Sequence, residues 1–198
     1  HILFHEADIQ KGDRIALIGR NSARWGISFF AILSYGAVAV PILHDFTPDN
    51  VHNLVNHSES KILLAAQHNW NALDLKEMPG IEIVILLENL SLLSSPDNVK
   101  NIYNTLETLF EEKYPDFSPE NIKYHNELPD ELAIINYTSG TTGFSKGVMI
   151  PYRSLWSNTQ YAYDNLPFIK DGDHFVSMLP MAHMYGLAFE VLNGVNKG

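Results

Sequence analysis

Short apolar runs alternate with helix-patterned segments along the first half of the chain, and this rhythm constrains the fold more than any other feature. The runs are Arg14 to Gly19, Ala37 to Ile42, Lys61 to Ala66 and Ile81 to Leu87. Between them, Ala23 to Tyr35 and Pro48 to Asn56 carry helical spacing. Strands that alternate with helices argue for a parallel sheet covered on both faces. The IEIVILL run is apolar almost throughout, as a strand buried on both sides must be. Gly36 should stop the first helix as a left-handed cap, and Thr47 followed by Pro48 should start the second as an N-cap with proline at N1. The predicted class is α/β, a mostly parallel sheet with helices on both faces.

Composition narrows the functional classes. The 198 residues are 45% hydrophobic, enough for one sizeable core. A formal charge of -10 argues against a nucleic-acid surface, which needs a basic face. There is no cysteine, so disulfides, thiolate metal sites and a cysteine nucleophile are excluded, and a cytoplasmic setting is the expectation. The uncharged run Trp25 to Leu43 is interrupted by glycine, serine and proline. It reads as an amphipathic helix and a buried strand rather than a membrane span. The nine histidines show no H-E-x-x-H spacing; His52 and His57, five apart, share a helix face poorly.

The chemistry is concentrated in Tyr137-Thr138-Ser139-Gly140-Thr141-Thr142-Gly143-Phe144-Ser145-Lys146-Gly147. Glycines let successive N–H groups turn toward one point, hydroxyls add donors and a possible metal ligand, and Lys146 adds a full positive charge. This is a loop suited to phosphates. It is not a Walker A loop, because Lys146 is not preceded by glycine and Pro151 arrives too soon for a following helix. Leu132 to Ile135 before it and Val148 to Ile150 after it are expected to anchor both ends in buried strands. Tyr137 and Phe144 stand either as nucleotide contacts or as flanks.

The loop with its flanks, INYTSGTTGFSKGVM, resembles the signature of the AMP-forming acyl- and aryl-adenylating enzymes. Ser145 replaces the proline usual before the lysine. Leu179-Pro180-Met181-Ala182-His183-Met184-Tyr185-Gly186 resembles the family's next motif, and Gly12 to Leu17, Tyr35 to Pro41 and Asn56 to Lys61 fit its opening. Within the family, Leu-Pro-Met-Ala-His and the stretch from Pro41 to Lys61 look most like long-chain fatty acyl-CoA ligases.

The resemblance implies part of the large N-terminal domain of an acyl-adenylating enzyme. It implies ATP, Mg2+ and coenzyme A as cofactor and co-substrates and a carboxylic acid as substrate, converted to an acyl-adenylate and then a thioester. Thr138, Ser139, Gly140, Thr141, Thr142, Gly143 and Lys146 would hold the phosphates, with Lys146 catalytic and Thr138 a magnesium contact. His183 would line the junction of acyl chain and adenylate. The family's magnesium glutamate, ribose aspartate and C-terminal domain would lie beyond Gly198, so residues 1–198 are expected to be a fragment, inactive alone. Two other readings stay open: an adenylation module of a peptide or polyketide assembly line, and a nucleotide-binding module without catalysis. Membrane association of the longer protein is open as well.

Residues 88–130 read as a variable connector around one helix, Val99 to Tyr114. After the loop, Tyr152 to Leu166 is predicted helical, His174 to Leu179 strand-like and Met184 to Val195 helical. Glu190 on that last helix is expected to face water.

Overall fold

The computed structural model describes residues 1–118, 120, 128–138, 146–166, 172–174 and 176–197. Seven strands form one sheet: β1 (Arg14–Ile18), β2 (Val38–Ile42), β3 (Ile62–Ala65), β4 (Ile83–Leu86), β5 (Leu92–Ser94), β6 (Leu132–Thr138) and β7 (Lys146–Pro151). Their order is β5-β4-β3-β1-β2-β6-β7. The five inner strands are mutually parallel, and the edge strands β5 and β7 each pair antiparallel.

Helix α1 is Ile2–Glu6 and α2 is Ala23–Tyr35, followed by α3 (Pro48–His57) and the short α4 (Gln67–Trp70). Ser22 caps α2 by accepting from the Trp25 amide at 3.1 Å, and Gly36 ends it at φ 91°, the predicted left-handed cap. Thr47 does occupy the cap position of α3, but its side chain makes no capping bond; Pro48 at the first turn sets that start.

Because β2 and β3 lie on opposite sides of β1, right-handed crossovers must put α2 and α3 on opposite faces of the sheet. The core divides accordingly. Ile15, Leu17, Ile62 and Ile83 point to the layer of Trp25, Phe29 and Ile32 from α2. Ala16, Ile18, Leu63 and Val84 point to the layer of Val51, Leu54 and Val55 from α3. Every residue of β2, β3 and β4 is buried, which accounts for their unbroken apolar runs.

Four expectations need correction. The single helix at residues 99–114 is two, α5 (Asp97–Asn104) and α6 (Leu106–Lys113). The break falls at Thr105, where φ reaches -111° and the hydroxyl bonds back to the Asn101 and Ile102 carbonyls at 3.3 and 3.2 Å. Residues 174 and 176–179 are irregular rather than a strand. The helix after Met184 takes a π register, Gly186–Leu192, before α8 (Asn193–Lys197). Finally, β7 is not buried: Val148 is 46% and Met149 68% exposed, because the strand lies on the sheet edge. Helix α7 (Tyr152–Asn165) follows and is tied to α2 by the Tyr152 hydroxyl, which donates to the Leu33 carbonyl at 2.9 Å. No described helix is long and apolar enough to cross a membrane.

Candidate functional site

Strands β6 and β7 form the frame of the phosphate-type loop. They pair antiparallel from Leu132↔Pro151 to Thr138↔Lys146, so the loop leaves and re-enters the sheet at adjacent points. Ser139, Gly140, Thr141, Thr142 and Gly143 lie outside the described residues, as does the rest of 139–145. The two ends are described, and both are exposed. Since β6 runs parallel to β1, β2, β3 and β4, the loop emerges at the carboxyl end of the sheet, where ligands of open α/β sheets bind.

Directly opposed residues project to one face of a sheet, and successive residues alternate. Thr138 and Lys146 therefore share a face, the same one that carries Asn136 and Ile134. That face receives the second motif. The buried Asn136 donates from Nδ2 to the Ala182 carbonyl at 3.0 Å, docking the backbone beside His183 two residues behind Thr138. Thr138 and Lys146, eight residues apart, and the more distant segment of His183 are thus brought to one face of the sheet.

The 177–183 segment has no strand partner, and side chains hold it instead. Asn21, in the turn after β1, accepts from the Met181 amide at 2.8 Å and donates to the Leu179 carbonyl at 2.7 Å, imitating a strand edge. Glu190 accepts from the Ser177 hydroxyl at 2.7 Å and the Leu179 amide at 3.2 Å, so it is a structural clamp and not a water-facing residue. Gly186 completes the arrangement. A Cβ there would lie 2.6 Å from the Pro180 carbonyl oxygen and 3.1 Å from Leu179 Cβ, so only glycine lets the π-helix approach this turn.

His183 itself is exposed. Its Nδ1 accepts from the Tyr185 amide at 3.2 Å, which leaves the proton of the neutral ring on Nε2 and presents that N–H outward as a donor. Tyr137 is buried on the α3 side of the sheet, so it belongs to the core rather than to the face that carries Thr138 and Lys146. Burial pushes its phenol above the ordinary range, with Ser58 partly offsetting the shift.

A cavity of about 1450 Å³ opens elsewhere, between α2, α6 and the π-helix, lined by Ile27, Phe30, Phe110, Tyr114 and Val195 among others. It meets the 177–190 segment at Met181 and Glu190.

A sequence profile for AMP-binding enzymes matches residues 2–198. The chain belongs to the AMP-binding enzyme family. A peroxisomal long chain acyl-CoA synthetase 6 of Arabidopsis thaliana is 32% identical over 93% of this chain and 26% of its own length. A chloroplastic long-chain-fatty-acid [acyl-carrier-protein] ligase of the same plant is 31% identical over 92% of this chain and 26% of its own. The crystal structure of a long-chain-fatty-acid-CoA ligase from Archaeoglobus fulgidus superposes with a TM-score of 0.76 at 20% identity, covering 99% of this chain and 36% of that one; this is a likeness of fold. The chain spans about a quarter of the length of such plant relatives.

Within the family frame, sequence motifs located the loop and His183 but missed Asn21, Asn136 and Glu190. Asn136 stood inside the quoted motif, and its burial near the end of a strand was the available signal. Asn21 and Glu190 act on backbone groups 158 and 11 residues away, and no spacing rule reveals such partners.

Proposed function

We propose that residues 1–198 form part of the N-terminal AMP-binding domain of a longer AMP-forming acid–thiol ligase that activates a long-chain fatty acid with ATP. The observation that carries this reading is the pairing of Thr138 with Lys146 at the carboxyl end of the sheet, on the face that receives His183. In the first step a carboxylate oxygen attacks the α-phosphorus of ATP and pyrophosphate leaves. In the second, the coenzyme A thiol attacks the acyl carbonyl and AMP leaves. Negative charge grows on the departing pyrophosphate, so donors fixed there lower the barrier.

Thr138 and the amides of residues 139–143 would hold the β and γ phosphates, and Lys146 would offset their charge. His183, with its outward Nε2–H, would line the junction of acyl chain and adenylate. Mg2+ favours oxygen ligands and keeps several waters, so one exposed hydroxyl beside bound phosphates suits it. Thr138 is that hydroxyl, and the ion would neutralise phosphate charge there.

The fatty acyl preference is supported by the two plant relatives, both acting on long-chain acids by name. The second of these has a carrier protein as acceptor, which favours a carrier thiol as the alternative to coenzyme A. The test is thioester formation by the full-length protein with ATP, Mg2+ and coenzyme A across saturated acids of two to eighteen carbons. A tunnel that buries each added methylene raises kcat/KM by up to about fourfold per carbon until it is filled, since each is worth about 0.8 kcal/mol. Better use of acetate, a benzoate or an amino acid would remove the fatty acyl assignment.

A further inference from the structure

Directly behind the loop, a buried tyrosine bridges its two supporting strands. Tyr137 precedes Thr138 on β6, and its cross-strand partner is Gly147, the residue after Lys146 on β7. A Cβ at Gly147 would lie 3.2 and 3.3 Å from Cε1 and Cζ of the Tyr137 ring and 3.1 Å from Ile135 Cγ2. The ring therefore lies flat across β7, in the space a side chain would need. Glycine at 147 thus serves packing between the two strands.

The far end of the ring is held from another element. His57, the last residue of α3, stands 2.7 Å from the Tyr137 hydroxyl through Nδ1, with the two rings edge to face at 5.7 Å and 80°. Tyr137 is 5% exposed while His57 is at the surface, so the histidine closes over a hydroxyl that otherwise ends in an apolar layer. That layer, Val51, Leu54, Val55, Val40 and Ile42, is apolar, and Ser58, the residue after His57, is the other polar side chain that bonds the hydroxyl. The contact spans 80 residues of sequence and joins the α3 layer to the hairpin.

We infer that His57 is a positioning residue for the phosphate loop: by bonding Tyr137 it fixes the ring that spans β6 and β7 one residue behind Thr138 and Lys146, and so sets the opening at which the loop begins and ends. The inference rests on the phosphate-binding reading of residues 138–146. A bridge whose only task were stability would affect every substrate alike; one that sets the loop's mouth affects ATP selectively.

The experiment is pyrophosphate exchange by the full-length protein, with KM for ATP and for the acid measured separately in His57→Ala, Tyr137→Phe, the double variant, His57→Asn and Lys146→Ala. Each of the first two should raise the KM for ATP by about threefold to tenfold, the range a lost buried hydrogen bond supports, and leave the KM for the acid unchanged. The double variant should be no worse than Tyr137→Phe, because removing the hydroxyl already removes the His57 bond. His57→Asn, whose amide can reach the same hydroxyl, should recover part of the loss. Tyr137→Phe keeps the ring volume but loses the Ser58 bond as well, so if His57→Ala does not fold, an unchanged KM for ATP in Tyr137→Phe still overturns the role. An unchanged KM for ATP in Tyr137→Phe, a parallel rise in both KM values, or no recovery in His57→Asn overturns the positioning role. If Lys146→Ala is impaired in that case, the phosphate reading stands without it; if Lys146→Ala is also unimpaired, both fall.

Discussion

Lys146 and Thr138 illustrate what a single residue gains from its place in the sheet. Each is an exposed polar side chain at the end of a strand, and only the antiparallel register makes them opposite neighbours at the mouth of one loop. Lys146→Ala in the full-length protein should lower pyrophosphate exchange by about tenfold to a thousandfold, equivalent to about 1.4 to 4 kcal/mol of transition-state stabilisation, without shifting Tm. Equal exchange in a folded variant would return Lys146 to a solvated loop residue. Gly186 makes the complementary case in packing. Because its missing Cβ would meet a backbone oxygen at 2.6 Å, Gly186→Ala should destabilise the fold by about 1 to 3 kcal/mol, read as a lower denaturant midpoint. The motif made Lys146 and His183 legible from sequence. His57 and Asn21 were not, since each acts through a partner 80 or 158 residues away that only the topology brings near.

Elements were legible where one local signal governed them. The apolar runs of β1 to β4 and the span of α2, with its serine start and glycine stop, follow from periodicity and capping alone. Failures came where a side chain competed with the backbone pattern. Thr105 bonds back into the preceding turn where one predicted helix breaks. Asn21 and Glu190 take up the 177–181 backbone groups that a strand partner would have taken, so an extended segment forms without a strand. The hairpin strand β7 misled for a different reason: apolar composition says that a strand is suited to burial, while its place at a sheet edge decides whether it is buried. The clamp makes a prediction at this scale. Asn21→Ala frees the Leu179 carbonyl and Met181 amide together, at a cost of about 1 to 3 kcal/mol for groups left unpaired. With the His183 segment loosened, the KM for the acid should rise more than the KM for ATP, as steady-state exchange kinetics would show.

At the scale of the molecule, the sheet has two apolar layers, one under α2 and one under α3; Tyr35 packs partly buried against the first and Tyr137 is buried in the second. Burial raises the phenols of Tyr35 and Tyr137 above their ordinary value of 10.0. The folded state then holds protons that the unfolded chain releases, so stability is intact below about pH 10 and falls as pH rises from there through the folded values. Denaturant midpoints should decline above that point, and the double variant Tyr35→Phe, Tyr137→Phe should flatten the decline. The fold class itself was readable because alternation and two-sided burial are properties of whole strands. The site was half readable, its loop by composition and its scaffold only by tertiary contact. A formal charge of -10 provides no general positive field, so under the proposed function ATP would be met by local donors of the hairpin and its loop. The most direct measurement is ATP–pyrophosphate exchange by the full-length protein across fatty, aryl and amino acids. Exchange should depend on an added acid, be greatest with a long-chain fatty acid and be lost in Lys146→Ala; exchange absent with every acid, or unaffected by that substitution, would contradict the proposed function.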